Sequence, residues 1–279
     1  MSLVDDLQEL LALSQELWRD DPREVTCNYG QIAWWTANIP HGESETRLWH
    51  DGGRLVGWGW VTKGTELEFQ VRPTHRELLD EILDWGAPDE LLVPSHHADA
   101  IARIERHGLV HIPSAPWMRL NQRSLDDLPE PELPQGYTLR TVQESDFASR
   151  AAAHRSAFQP SRFRDDVYAF VRDTPPYRGD LDCVAIAPDG SVAAYTLGWL
   201  DEMNRVGQFE PVGTHTDHQR RGIGRAVNLF ALHCLRAEGA TVGLVECRGD
   251  AAYPVPAKLY ESVGFREISR QLAYRRLTK

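Results

Sequence analysis

Gly222 and Gly224 stand two residues apart, with Arg220 and Arg221 just before them and Arg225 just after. Two glycines at that spacing let the backbone turn sharply and leave N–H groups exposed. Downstream, Val227, Phe230, Ala231, Cys234 and Leu235 recur at the spacing of one apolar helix face. A helix start carries unpaired N–H groups and the positive end of the helix dipole, so it attracts anions. The three arginines add formal charge at the same place. The chemistry this predicts is a cradle for pyrophosphate. Two rival phosphate loops do not fit. The pattern Gly-x-x-x-x-Gly-Lys-Ser/Thr is absent, and a dinucleotide fingerprint needs glycine where Val227 stands.

The cradle needs elements on both sides to hold it. Phe209-Glu210-Pro211-Val212-Gly213-Thr214-His215 reads as a strand running into the loop. Residues 241–247 read as the next strand, 257–262 as a helix capped at Gly264, and 272–277 as a strand closing the sheet. With these elements in order, Gln219-Arg220-Arg221-Gly222-Ile223-Gly224 resembles the Gln/Arg-x-x-Gly-x-Gly/Ala signature of the GNAT superfamily of acyl-CoA-dependent N-acyltransferases. Val212-Gly213-Thr214-His215 is similar to that family's central strand. Leu259-Tyr260-Glu261-Ser262-Val263-Gly264-Phe265 is similar to its later helix and final turn.

The resemblance implies acetyl-CoA as co-substrate, with no metal. The loop residues Gln219, Arg220, Arg221, Gly222, Ile223, Gly224 and Arg225 would hold its pyrophosphate. The strand residues Val212, Gly213 and Thr214 would face its pantetheine arm, with the backbone of Val212 and Thr214 pairing as an added strand does. An amine would attack the thioester directly. It needs a base, because an amine at neutral pH is mostly protonated. The oxyanion needs an N–H donor, a role open to Val212 although Pro211 restricts the strand there. Tyr260 matches the family tyrosine whose hydroxyl sits near the sulfur. Glu210 is the candidate base, two residues before Val212 and so on the same strand face. His215 and His218 are weaker candidates. Asp165, Asp166, Trp199, Asp201 and Glu202 would border the acceptor groove, where acids attract a cationic amine. One departure stands out. Many family members carry asparagine seven residues before the tyrosine, and here that position is Tyr253, followed by Pro254-Val255-Pro256.

The rest of the chain reads as a diverged copy of this arrangement. An amphipathic helix over residues 3–19 ends at Pro22. A hairpin follows, from Glu43 to Trp49 and back over residues 54–61 through Asp51-Gly52-Gly53. Residues 66–71 are a strand leading to a helix with Leu78, Leu79, Ile82 and Leu83 on its buried side. Then come a short strand at 91–94, a helix ending at His107-Gly108, and a last strand at 117–120. Adjacent Trp34 and Trp35, if in a strand, would face opposite sides. Where the second half has its glycine loop, the first has Val71-Arg72-Pro73-Thr74-His75-Arg76-Glu77, without glycine. The expectation is therefore an α/β protein of two GNAT-like domains in tandem, each a mixed, mostly antiparallel sheet flanked by helices. Residues 1–124 form a degenerate domain without a phosphate loop, 125–135 a Pro- and acid-rich linker, and 136–279 the acyl-CoA-binding domain.

Composition bounds the function. The 279 residues carry a net charge of −11, which argues against nucleic acid as a partner. No apolar run of about 18 residues exists to span a membrane, and the start Met1-Ser2-Leu3-Val4-Asp5-Asp6 lacks a signal-peptide layout. Cys27, Cys183, Cys234 and Cys247 are scattered, which fits reduced thiols and a cytoplasmic location rather than a zinc site. The predicted activity is acetyl transfer to a small-molecule amine by a monomer or homodimer. The alternatives are a non-catalytic acyl-CoA-binding or regulatory module, and a peptide or protein N-acetyltransferase.

Overall fold

The last strand of each half pairs within the sheet of the other half. The computed structural model describes residues 3–38, 44–62, 65–161 and 163–277. The first half runs α1 (Leu3–Asp20), α2 (Tyr29–Asn38), β1 (Ser44–Asp51), β2 (Arg54–Thr62), β3 (Glu66–Val71), α3 (Leu78–Gly86), β4 (Glu90–Pro94), α4 (Ala98–Arg106), β5 (Leu109–His111) and β6 (Met118–Ser124). The second runs β7 (Thr138–Thr141), α5 (Phe147–Ala157), α6 (Asp165–Asp173), β8 (Asp182–Ile186), β9 (Val192–Asp201), β10 (Val206–Thr214), α7 (Ile223–Ala237), β11 (Val242–Arg248), α8 (Val255–Ser262) and β12 (Arg266–Arg276). Glu43, Met1 and Ser2, which entered the sequence reading, lie outside the described residues.

These strands form one 12-stranded sheet in the order β1-β2-β3-β4-β12-β6-β11-β10-β9-β8-β7, with β5 attached to β12. Strand β6 pairs along its length with β11, Val242 opposite Ser124 and Arg248 opposite Met118. The long β12 pairs first with β6 and then, from Gln271 onward, with β4. The strand expected at 272–277 to close the second sheet thus lies in the first. The segment after β6 is not a free spacer either. Leu125 and Leu128 are buried in the core beneath α7, and the Leu125 N–H donates to the Thr241 carbonyl at 3.0 Å. Each buried leucine contributes about 1.5–3 kcal/mol relative to exposure.

Helix α2 was not legible as a helix, and it places Trp34 and Trp35 on a helix rather than a strand. Its residues are apolar nearly all round, as suits a helix wedged between two cores. Ala33, Trp34 and Ala37 pack with Ala151, Phe163, Tyr168, Leu197 and Trp199 of the second half. Ile32 packs with α1 and with Trp58 and Trp60 of the first.

The two halves treat the same structural feature differently. Strands β3 and β4 are parallel neighbours only at Glu66–Glu90 and Leu67–Leu91, and then part. The chain between α1 and α2 lies across the open side of β3. The Thr26 hydroxyl donates to the Phe69 carbonyl, and Gln70 Nε2 donates to the Glu24 carbonyl at 2.8 Å. Among the described residues no helix is long and apolar enough to cross a membrane.

The exchange of strands makes the halves one folding unit. The full chain should unfold in a single cooperative thermal transition followed by circular dichroism. A fragment of residues 136–279, deprived of β6, should show none. Two separate transitions in the full chain, or a cooperative fragment, would contradict this.

Candidate active site

In the second half β10 and β11 run side by side from Val206–Val242 to Phe209–Val245, and there the parallel pairing ends. Beyond that point β10 keeps its other neighbour: Val212, Gly213 and Thr214 pair with Thr196, Tyr195 and Ala194 of β9. One edge of Val212–Thr214 therefore has no strand paired to it among the described residues. Gly213 is required here by close approach. A Cβ at that position would stand 2.6 Å from the Tyr195 hydroxyl. The β9 ladder shifts register between Phe209 and Val212, at Glu210-Pro211. Exposure nonetheless alternates: Glu210, Val212 and Thr214 are half-buried, while Pro211 and Gly213 are buried.

The strand leads through a short 3₁₀ turn (Thr216–His218) to the glycine loop and α7. Arg220 and Gly222 both adopt left-handed backbone, with φ of +58° and +80°. At Gly222 this is the conformation glycine adopts without cost. The first helical hydrogen bond runs from the Ala226 N–H to the Gly222 carbonyl. Among the described residues, no backbone N–H of residues 220–225 donates to a protein acceptor. Gln219, Arg220, Arg221 and Gly222 are exposed, and Ile223 anchors the turn in the core. Gln219 reaches back to the Thr214 carbonyl at 3.2 Å, Arg221 to the Tyr137 hydroxyl at 3.1 Å, and Arg225 to the Ser262 carbonyl at 3.3 Å. The loop is an open, positively charged run of free donors, which fits an anionic group of phosphate size.

Glu210 sits where the two strands part. Its carbonyl accepts from Trp199 Nε1 at 2.6 Å, while its carboxylate has no hydrogen-bond partner among the described residues. Burial pushes its pKa up to about 8, and the nearby Glu246 charge adds to the rise. Glu246 itself is pushed to about 7 by burial, against the stabilising hydrogen bond from Gln31. Glu68 of β3 reaches about 8 through burial and then the Glu246 charge. Tyr260 is buried on α8, its ring 5.9 Å from Phe265. Burial holds its hydroxyl protonated, reinforced by Cys247, Glu210 and Tyr195. The structure thus brings Glu210, Tyr260 and the open strand edge together.

Other expected residues stand elsewhere or are already engaged. His218 Nδ1 bonds the Tyr137 hydroxyl at 2.9 Å, and His215 Nδ1 accepts from the Asp217 N–H. Asp165 pairs with Arg155 at 2.9 Å and Asp166 with Arg164 at 2.7 Å. Asp201 is buried and accepts from Gln15 Nε2, Glu202 lies 3.6 Å from Arg178, and Trp199 is fully buried. Each of these acids thus has a basic or amide side chain beside it, and Asp165, Asp166 and Glu202 remain exposed. Sequence reasoning missed Glu246 and Glu68. Its available signal was a glutamate inside the otherwise apolar run Val242-Gly243-Leu244-Val245-Glu246-Cys247.

No family profile matches the chain. Curated relatives extend over nearly all of it. Mycothiol acetyltransferase of Streptomyces coelicolor is 26% identical over 285 residues, covering 95% of this chain and 90% of its own. The enzyme of the same name from Streptomyces griseus subsp. griseus is 29% identical over 286 residues, covering 96% and 91%. This likeness supports an N-acetyltransferase of GNAT type. Solved structures agree on the fold. A GCN5-related N-acetyltransferase from Sphaerobacter thermophilus superposes with a TM-score of 0.67 at 19% identity, covering 98% of this chain and 92% of its own. A tandem GNAT protein from the clavulanic acid biosynthesis pathway gives 0.66 at 16%, covering 100% and 98%.

Two outcomes follow from this geometry. Nothing lies within 4 Å of a Cβ built on Gly222, so Gly222→Glu should cost only the backbone strain, about 1 kcal/mol. It should lower acetyl-CoA affinity at least tenfold in calorimetric titration, since a carboxylate would sit among the free donors; unchanged affinity would remove the cradle from consideration. The three raised carboxyl pKa values also have a stability sign. The folded state holds these protons more tightly than the unfolded chain, so stability should fall as pH rises from about 5 to about 8. In Glu246→Gln the fall in melting temperature over that window should be smaller.

Proposed function

We propose that this protein transfers the acetyl group of acetyl-CoA to the amine of a small molecule in a single direct step. The observation carrying this reading is the unpaired strand edge at Val212–Thr214, with a run of free N–H donors at 220–225 beyond one end and the unpartnered carboxylate of Glu210 at the other. A pantetheine arm could pair with that edge as an added strand does, its pyrophosphate at the helix start. Gln219, Arg220, Arg221, Gly222, Ile223, Gly224 and Arg225 form the cradle in this reading.

Glu210 takes a proton from the attacking ammonium, directly or through a water. Its raised pKa matches that task, because a base works best when its pKa lies near the operating pH. The free amine adds to the thioester carbonyl; as the intermediate collapses and expels the thiolate, the added nitrogen gives up its second proton, which replaces the one the sulfur takes up. Tyr260, kept protonated by burial, supplies a proton or hydrogen bond to the departing sulfur. The products are an amide and free coenzyme A. The names of the relatives point to the acceptor to try first, the amine whose acetylation yields mycothiol.

The test is coenzyme A release with that amine and a panel of other small amines. Wild-type kcat/KM should climb with pH and level near 8. Glu210→Gln should lower it by about 10²–10⁴ and lose that limb. Tyr260→Phe should cut kcat with little change in acetyl-CoA affinity. Wild-type turnover in both variants would sink the role assignments. Acetyl-CoA binding without turnover on any amine would favour a non-catalytic binding module.

A further inference from the structure

Glu246 is the acid that the proposed chemistry leaves without a task. It stands on β11 one residue past Val245, which is opposite Phe209, so it neighbours Glu210 across the point where the strands part. It is 9% exposed. Its carboxylate Oε2 accepts from Gln31 Nε2, and Gln31 belongs to α2 of the first half. Gln31 is held in turn: its Oε1 accepts from the Asn28 N–H at 2.9 Å and from Asn28 Nδ2 at 3.2 Å. The neighbouring Gly30 N–H donates to Gln208 Oε1 of β10 at 2.8 Å. The start of α2 is thus bonded to both strands that diverge at the site.

We propose that Glu246 is a positioning residue for acetyl transfer, acting through Glu210, and that Gln31 couples the first half of the chain to the site by governing Glu246. The inference rests on Glu210 being the base.

Among the described residues, the groups around this pair include no unpaired cation: Arg150 of α5, over the Tyr195 ring, is paired with Asp182 at 3.1 Å, and His154 bonds the Tyr195 hydroxyl at 2.7 Å. Glu68 of β3 and Cys27 face Glu246, with Cys247 beside it. Tyr195 of β9 and Tyr260 of α8 face Glu210. Arg119 of β6, near Cys247, is already paired with Glu261 at 2.9 Å and Glu267 at 3.5 Å. A negative charge on Glu246 therefore reaches Glu210 without a counter-charge, and it favours the protonated form of Glu210. The Gln31 hydrogen bond favours the charged form of Glu246. Removing either influence should make Glu210 easier to ionise.

The experiment is the pH profile of kcat/KM for wild type, Glu246→Gln, Gln31→Leu and Glu210→Gln, each checked for melting temperature and acetyl-CoA affinity. The acid limb should move to lower pH by about 0.5–1 unit in both Glu246→Gln and Gln31→Leu. At pH 6, relative to each plateau, that is about a three- to tenfold gain. A purely structural role would lower the melting temperature and leave the limb in place. A limb abolished in Glu210→Gln but unmoved in Glu246→Gln would overturn the proposal and leave the base assignment standing. A limb that survives Glu210→Gln would overturn the base assignment, and the proposal with it. A shift in Glu246→Gln without one in Gln31→Leu would remove the coupling to the first half. Loss of all turnover in Glu246→Gln, with acetyl-CoA still bound, would make Glu246 the base itself.

Discussion

Strand β10 can pair with β11 only as far as Phe209, and the rest of the site follows from that parting. A strand edge cut off from its neighbour inside a sheet exposes N–H and C=O groups that must find partners. In the first half the Thr26 hydroxyl supplies one, donating to the Phe69 carbonyl, and the Gln70 side chain holds the same segment through the Glu24 carbonyl. In the second half the edge stays open and points toward a loop with its own free donors. The same geometry thus serves as a packed joint in one half and as a ligand site in the other. The difference lies in which segment runs past the strand, more than in the strand.

Burial sets the chemistry at the apex. Glu210 and Glu68 each approach Glu246, on three strands drawn from both halves, with no cation among the influences on any of them in the described residues. Such a grouping is unfavourable for folding while the acids are charged, and it persists because the surrounding sheet fixes the backbone. Its effect is to hold carboxyl protons near neutral pH, where an isolated glutamate would have lost them. Helix α2 closes the group from the far side. The first half therefore contributes to the site by its packing, even though its own turn between β3 and α3 carries Pro73 and no glycine.

Much of this was legible in the sequence. The glycine loop, the strand before it and the helix after it carry local signals: φ-permissive residues, apolar periodicity and charge. Helices α1, α3 and α4 and the β1–β2 hairpin were read for the same reason. Three things escaped. Helix α2 is buried on nearly every face and its few polar residues are scattered, so it shows no clear periodicity to read. The exchange of β6 and β12 leaves no local trace, because an exchanged strand needs the same pattern as one that stays at home. Glu246 and Glu68 looked like ordinary strand residues, since a one-dimensional pattern cannot say that two strands bring their acids to one point. The acids at 165, 166, 201 and 202 looked available because a residue type does not show its partner: Arg164 stands two residues from Asp166, and Arg155, Gln15 and Arg178 lie farther along the chain.

The crossed strands also decide how the molecule can move. A hinge between two domains needs a connection free of ladder hydrogen bonds, so that rotation breaks little. Here the rotation axis would cut through β6 against β11 and β12 against β4, and Leu125 and Leu128 are fixed in the core besides. Domain closure in the manner of a clamshell is therefore not open to this protein. The strand edge and the cradle keep a fixed separation, and a molecule passing between them must rely on motion of the surrounding loops.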